Sequence, residues 1–265
     1  MPIDKVGFLG EEIKKYRQEI FNKYGDRFNY YKKLNQFLNE LKFKLTPQKD
    51  DVQRMVIVTF FIKALETFQS VYILTSYGLT ADGEILNRAL FETIAAMLYV
   101  SKSEDNLKRY LAKDLYEKLK LISIYKKNPE QYFNGKVTGE ELNEAERTYN
   151  ANLKELGNPQ PIKIEAMIRK TEIADLYDSF YRSASGPVHS APRSLEKYIS
   201  DQKDRVVVMW GPRDVEIDVL LSAAVEFMLI GCKCLSNIFG NPKEEEIIIL
   251  NNEKNGIWLK EENRG

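Results

Sequence analysis

Residues 52–100 read VQRMVIVTFFIKALETFQSVYILTSYGLTADGEILNRALFETIAAMLYV. Two strongly apolar segments meet here at Gly78. Their apolar residues recur at spacings of three and four, and strict alternation is rare, so the pattern predicts helices over about 52–77 and 83–100. The later half of the second segment is apolar on nearly every side, which is typical of a buried helix. This stretch therefore predicts a mainly α fold, with these two helices at the centre of a multi-helix bundle.

Further helices are predicted on both sides of this pair. The same spacing is present in residues 11–44, with a break near Gly25, and in residues 104–125, 140–156, 164–171, 172–184 and 214–239. Asp50 or Asp51 and Ser103 stand where they can cap the first turn of a predicted helix. By contrast, residues 205–210 read RVVVMW, a run of β-branched residues that favours a short extended segment.

The chain is expected to contain one large core with an addition at each end. Residues 49–241 carry most of the apolar segments and form the predicted helical core domain. Residues 1–48 are a predicted N-terminal helical extension, and residues 242–265 a predicted peripheral C-terminal tail. The segment 158–161, Asn-Pro-Gln-Pro, is the best linker candidate, but it is short and its flanks are apolar, so we keep one core domain.

Composition excludes several classes of protein. The 265 residues are 43% hydrophobic and 29% charged, which is typical of a soluble globular chain. The 39 basic and 39 acidic residues leave no net charge, so no global field attracts nucleic acid or an anionic membrane, although a local basic patch remains open. The first twenty residues lack the apolar stretch of a signal peptide. We therefore expect a cytoplasmic protein with no membrane partner.

Charged residues within apolar helices are the first candidates for a site. Glu84, Arg88 and Glu92 are spaced by four, so their side chains share one helix face and the guanidinium can meet a carboxylate. We expect an interior Arg88–Glu92 ion pair, structural or ligand-binding, whose loss in Glu92→Ala costs roughly 3 to 5 kcal/mol. Glu66 and Glu226 are further acidic residues that lie within apolar segments. A carboxylate-bridged metal site would also need several histidines, and the chain has one, so we predict no metal and no cofactor.

The single histidine, His189, lies in the most unusual segment of the chain. Residues 181–193 read YRSASGPVHSAPR, and they gather polar groups that could bind a phosphate: Tyr181, Arg182, Ser185, His189 and Arg193. In a metal-free RNA cleavage, His189 would move a proton and Arg182 would stabilise charge on phosphorus. The alternative is structural, with His189 and the serines satisfying backbone groups around a Gly-Pro turn.

Two of these segments together resemble a known family. Residues 78–100 and 181–199 are similar to a bacterial helical family known as domain of unknown function 5677. Its R-x-x-x-E helix is matched here by Arg88 and Glu92. Its Y-R-x-x-S-x-x-x-H segment, about a hundred residues later, is matched by Tyr181 through His189. The resemblance covers roughly residues 50–240 and implies a helical domain, with no activity attached.

A more distant resemblance is to the HEPN superfamily of helical toxin and antiviral RNases. Their motif is an Arg, often followed by a polar residue, and a His after four to six intervening residues; Arg182, Ser183 and His189 satisfy it with six. The resemblance implies metal-free RNA cleavage by a dimer with two facing motifs, in stress or phage defence. Gly186 and Pro187 depart from the pattern, because they should break the helix that displays both residues.

Two functions therefore remain open from the sequence. The first is a metal-independent RNase of HEPN type, with His189 and Arg182 as catalytic residues. Its predicted substrate-binding residues are Arg88, Glu92, Tyr181, Ser185 and Arg193. The second is a non-catalytic helical module that binds a partner protein or a nucleotide-like ligand. In either case we expect a homodimer, formed through the apolar helices around 52–77 and 219–239, because those helices carry more apolar surface than one thin layer can cover.

Overall fold

The computed structural model describes residues 6–128, 132, 136–182, 192–202, 205–240 and 243–258. Its α-helices in chain order are α1 (Ile13–Lys42), α2 (Val52–Ser76), α3 (Thr80–Ser101), α4 (Glu104–Lys127), α5 (Gly139–Glu155), α6 (Ile164–Ile168), α7 (Pro192–Leu195), α8 (Ile217–Phe239) and α9 (Glu244–Trp258). Two strands, β1 (Ile199–Gln202) and β2 (Arg205–Val208), pair antiparallel. The mainly α fold and the extended segment near 205–210 are therefore confirmed.

The ends of the central helices follow the local chemistry of the sequence. The Asp51 side chain accepts a hydrogen bond from the backbone N–H of Arg54 at 2.9 Å, and so caps α2. Ser103 caps α4 in the same way through Asn106. Gly78 follows α2 with a φ of +73°, a left-handed conformation that favours glycine. These caps explain why α2, α3 and α4 are separated by very short connections.

Helix α3 lies at the centre of the fold. It packs against α2 and α8, and also contacts α4 and α6. Every residue from Ile94 to Val100 is buried, as the apolar sequence predicts. Gly231 of α8 permits close packing on α3, because a Cβ there would lie 2.9 Å from the Ile94 side chain. The site residues on α3 are thus carried by a helix that packs against four other helices.

Three local predictions need correction, and one strand was not predicted. Helix α1 continues through the expected break and is only kinked, at Tyr24 (φ −118°, ψ 22°). Helix α3 begins at Thr80, three residues early, and has no side-chain cap. The helix predicted over 172–184 is replaced by turns and a π-helical turn at Tyr177–Tyr181. Strand β1 was not predicted, because Ile-Ser-Asp-Gln has little strand character and depends on its pairing with β2.

Both ends of the described chain pack on the same core. Helix α1 contacts α2 and α8, and α9 contacts α1 and α8. Within α9, Leu250 is buried, and the Trp258 ring lies 5.6 Å from the ring of Tyr30 on α1. Residues 244–258 therefore form an ordered helix that covers one side of α1 and α8.

Two helices are long and apolar enough to cross a membrane by length and composition alone. These helices are α2 and α8. Core helices of globular proteins share that property, so it is weak evidence for a membrane location. In the described structure both helices pack against α3, and two thirds of the apolar window in α8 is buried.

Candidate functional site

The candidate site begins with the π-helical turn Tyr177–Tyr181, which ends next to Arg182. A π-helical turn is rare and often marks a functional position, because it adds one residue to the turn and redirects the side chains around it. Here it places Tyr181 inward, where it is buried, and leaves Arg182 at the surface. Adjacent residues of the expected motif therefore have opposite environments.

Tyr181 is held by Arg88 from the central helix. The Arg88 Nη2 donates a hydrogen bond of 2.8 Å to the Tyr181 hydroxyl, and its Cζ lies 4.5 Å from the centre of the ring. Arg88 is only 8% exposed. A desolvated guanidinium over an aromatic ring forms a strong cation–π contact. We name this Arg88–Tyr181 contact the clamp, because it fixes the π-helical turn to α3.

The predicted Arg88–Glu92 pair is present, but only one of its members is interior. Arg88 Nε lies 3.1 Å from Glu92 Oε1, as the four-residue spacing predicts. The Glu92 side chain is 38% exposed, so water reaches its carboxylate. The preceding acid in the row, Glu84, binds Lys197 and takes no part in the clamp. The prediction of a fully interior pair is wrong on this point, because Glu92 lies at the edge of the buried region.

Burial of Tyr181 keeps its hydroxyl protonated. Burial raises the pKa of Tyr181, and the negative charge of Glu92 acts in the same direction, while the hydrogen bond from Arg88 opposes them. Within the described residues, Arg88 Nη1 is buried and has no hydrogen-bond partner. A buried guanidinium nitrogen without a hydrogen-bond partner is uncommon. Arg88 Nη1 is therefore a donor group of the clamp that the described structure leaves unsatisfied.

Around the clamp lies an outer layer of charged residues, of which Arg182 alone was singled out from the sequence. Arg169 pairs with Glu165 at 3.1 Å and with Asp178 at 3.4 Å, and its guanidinium stacks 4.5 Å from the centre of the Tyr177 ring. Arg182 pairs with the same Asp178 at 3.4 Å, and its side chain is 69% exposed. The Tyr177 ring in turn stacks on Tyr181. The i,i+4 spacings of Glu165 with Arg169 and of Asp178 with Arg182 were the signal that could have revealed these pairs.

The structure brings part of the predicted site together. Arg88, Glu92 and Tyr181 are in contact, and Arg182 lies beside them on the surface. His189 and Ser185 lie outside the described residues, as does the side chain of Arg193. The other acids have different surroundings: Glu66 is exposed, and Glu226 binds Lys254 of α9.

The two cysteines lie in the core. Cys232 and Cys234 are free and buried, and burial raises the pKa of Cys232 to about 12, so its thiol stays protonated. Across the parts of the chain that the structure describes, no three His, Cys, Asp or Glu side chains form a group that could hold a metal ion.

The exposure of Glu92 changes the expected energetics of the pair. Glu92→Ala leaves the buried Arg88 charge with less compensation and is expected to lower the free energy of unfolding by about 2 kcal/mol, below the value for a fully interior pair. Adding Arg88→Met removes that charge, so the double variant is expected to regain about 1 kcal/mol. Urea unfolding of the parent, both single variants and the double variant measures this coupling. Strictly additive losses would contradict the pairing.

The fold and the clamp define a mainly helical protein whose central helix carries an R-x-x-x-E pair that anchors a Tyr-Arg turn. Residues 54–206 match the family of unknown function DUF5677, and the chain belongs to that family. The match includes α3 and the π-helical turn, so both halves of the clamp lie within the family region. No curated protein and no solved structure matches the chain.

Proposed function

We propose that this protein is a metal-independent endoribonuclease of HEPN type that acts in stress or phage defence. The observation that carries the proposal is the exposed Arg182 guanidinium, which follows directly on a turn held by the buried clamp. Because the clamp fixes the turn beside Arg182, a phosphate has to order only the Arg182 side chain, and this lowers the entropic cost of binding. His189, seven residues further along the chain, is the histidine of the proposed motif.

Arg182 can exchange its carboxylate partner, Asp178, for a phosphate. Its contact with Asp178 is 3.4 Å long and open to solvent, and such exposed pairs contribute little free energy. Asp178 also pairs with Arg169, so it keeps a partner when a phosphate binds the guanidinium fork of Arg182 through two oxygens. We therefore assign phosphate binding to Arg182 and a positioning role to Arg88, which is buried behind Tyr181.

The proposed reaction needs no metal ion. His189 takes the proton from the ribose 2′-hydroxyl, whose oxygen attacks the adjacent phosphorus. The bond from phosphorus to the 5′-oxygen breaks, and that oxygen takes a proton from water, leaving a 2′,3′-cyclic phosphate and a 5′-hydroxyl. Arg182 stabilises the additional negative charge that develops on the phosphoryl oxygens during the attack. The chemistry restricts the substrate to RNA, because DNA lacks the 2′-hydroxyl.

One observation favours the alternative of a non-catalytic binding module. The outer layer around the clamp is balanced in charge, since its two arginines, Arg169 and Arg182, contact two carboxylates, those of Glu165 and Asp178. A nucleic acid binds mainly to surfaces with an excess of positive charge, whereas a surface that carries both signs can be complementary to a folded partner. In this alternative the same residues contact a partner protein or a nucleotide-like ligand, and no bond is broken.

The two functions are separated by one assay on the purified full chain. Total RNA, transfer RNA and a DNA oligonucleotide are incubated with the protein in excess EDTA, and the products are resolved on a denaturing gel. The RNase proposal expects cleavage of RNA only, with 2′,3′-cyclic phosphate ends. Intact RNA after prolonged incubation would favour the binding module, and cleavage that requires added metal would contradict the mechanism.

A further inference from the structure

Helix α4 carries an excess of positive charge in a chain that has no net charge. Its 24 residues include seven Lys or Arg and four Asp or Glu. The helix packs mainly against α3 and α5, and it buries Leu107, Ala112 and Ile122. The rest of its circumference, which holds the charged residues, faces solvent.

Four of the basic residues form a row on the solvent side of α4. They are Arg109, Lys113, Lys120 and Lys127, and we call them the α4 row. At 3.6 residues per turn their side chains leave the helix within about 40° of one another, and the row is about 27 Å long. All four residues are exposed. The row therefore presents a straight line of cations.

The charge of the α4 row is not neutralised by neighbouring carboxylates. The other three lysines of α4 each bind one, in the pairs Lys108–Glu104, Lys118–Asp114 and Lys126–Glu146. Within the described residues, no carboxylate forms an ion pair with a member of the row, not even Glu117, which is four residues from Lys113. The α4 row is thus a local basic patch of the kind that the zero net charge had left open.

We infer that a duplex segment of RNA binds along the α4 row through its phosphates. Phosphates recur at regular intervals along a polynucleotide, so a straight row of cations can contact several of them at once and release their counterions. Arg109 and Lys113 are like charges four residues apart, and phosphates between them would relieve their repulsion. The choice of RNA over DNA rests on the proposed function, whereas the charge argument does not.

A duplex fits the α4 row better than a single strand or a membrane. Proteins that bind single strands combine a groove with aromatic rings on which the bases stack, whereas α4 is convex and the Tyr116 ring beside the row is half-buried. A helix that lies on a membrane inserts a whole apolar face into the lipid. The apolar side of α4 packs on α3 and α5, and of its apolar residues Leu121 and Ile124 alone are exposed.

The α4 row begins close to the candidate site. Lys102, which joins α3 to α4, donates a 2.8 Å hydrogen bond to the carbonyl of Lys170. The preceding residue, Arg169, belongs to the outer layer of the site. Arg109 lies in the second turn of α4, just after this contact. A stem held on α4 can therefore bring its unpaired loop towards Arg182, where the 2′-hydroxyl chemistry takes place.

Fluorescence anisotropy of a labelled RNA stem-loop with the full chain tests the inference. All riboses of the stem-loop carry 2′-O-methyl groups, so no hydroxyl can attack and binding is measured without cleavage. The combined variant Lys113→Gln, Lys120→Gln and Lys127→Gln is expected to weaken binding at least about tenfold. The slope of log K against log salt should fall by about 2, because each lost phosphate contact removes roughly 0.7 to 0.9 from it.

The matched control is the combined variant Lys15→Gln, Lys44→Gln and Lys63→Gln. It removes the same charge from three exposed lysines outside α4 and should bind within about twofold of the parent. Thermal unfolding midpoints check that both variants are folded. Equal losses in the two variants, or unchanged binding by the α4 variant, would overturn the inference. So would equally tight binding of a single-stranded RNA, or competition by polyglutamate as strong as by RNA, which would assign the row to an acidic protein.

This inference and the proposed function can fail separately. Binding that depends on the α4 lysines, with no cleavage of the unmodified stem-loop, would support the α4 row and count against the RNase. Cleavage by the α4 variant at the parent rate, with unchanged binding, would overturn the α4 row and leave the RNase standing.

Discussion

Arg182→Ala is expected to lower the rate of RNA cleavage at least about a hundred-fold, as loss of a charge-stabilising donor does in other enzymes. The Arg182 side chain is exposed and contacts Asp178 across an open ion pair, so its removal should leave the fold unchanged. Single-turnover cleavage of transfer RNA in EDTA gives the rate, and the thermal unfolding midpoint gives the stability.

Two further variants make that result specific. Arg147 is an exposed arginine on α5, and Arg147→Ala removes one positive charge without touching the site. Arg182→Lys keeps the charge but loses the planar fork, so it should retain only a fraction of the parent rate. Equal effects of Arg147→Ala and Arg182→Ala would show that the loss comes from general electrostatic attraction, contrary to the proposed role.

Gly78→Ala is expected to have the largest effect on stability, lowering the free energy of unfolding by about 3 kcal/mol or more. Gly78 has a φ of +73°, and a Cβ there would lie 2.8 Å from the carbonyl oxygen and 2.9 Å from the nitrogen of Arg213. These are backbone atoms, so the clash cannot be relieved by a side-chain rotation. The Gly78 carbonyl also accepts a 2.9 Å hydrogen bond from the Arg213 N–H, which the displacement would break.

The control for this prediction is Gly157→Ala. Gly157 also has a positive φ, +84°, but nothing lies within 4 Å of the position of its Cβ. Its substitution should cost only the conformational strain, about 1 kcal/mol. Urea unfolding gives the loss in free energy of unfolding for each variant. The difference between the two losses measures the contribution of the close approach between the α2–α3 connection and the segment that precedes α8. Similar losses in the two variants would rule that contact out as a major contribution.

The central helices could be predicted because their signals are local. Asp51 and Ser103 cap their helices as expected, and the apolar residues of α3 are buried around its whole later half. The π-helical turn and β1 could not be predicted in this way. Tyr177–Tyr181 has the composition of an ordinary helix, and its extra residue per turn depends on contacts with Arg88 and Phe91, which are about ninety residues away.

The ion pairs of the candidate site could be predicted from the sequence, but the burial of their members could not. The four-residue spacing of Arg88 and Glu92 predicted their contact, whereas periodicity on one helix cannot say where the edge of the buried region falls. The contact of Arg88 with Tyr181 joins residues 93 positions apart and has no local signal. The contact of Arg169 with Asp178 likewise has no i,i+4 spacing to predict it, whereas the spacing of Asp178 and Arg182 does predict their pair.

The measurement that tests the central claim most directly is cleavage of transfer RNA by His189→Ala in EDTA. His189 is the only histidine and the only side chain of the chain that titrates near neutral pH when unperturbed. We predict that the parent cleaves the RNA and that His189→Ala, with an unchanged unfolding midpoint, does not. Cleavage by His189→Ala at the parent rate would contradict the account.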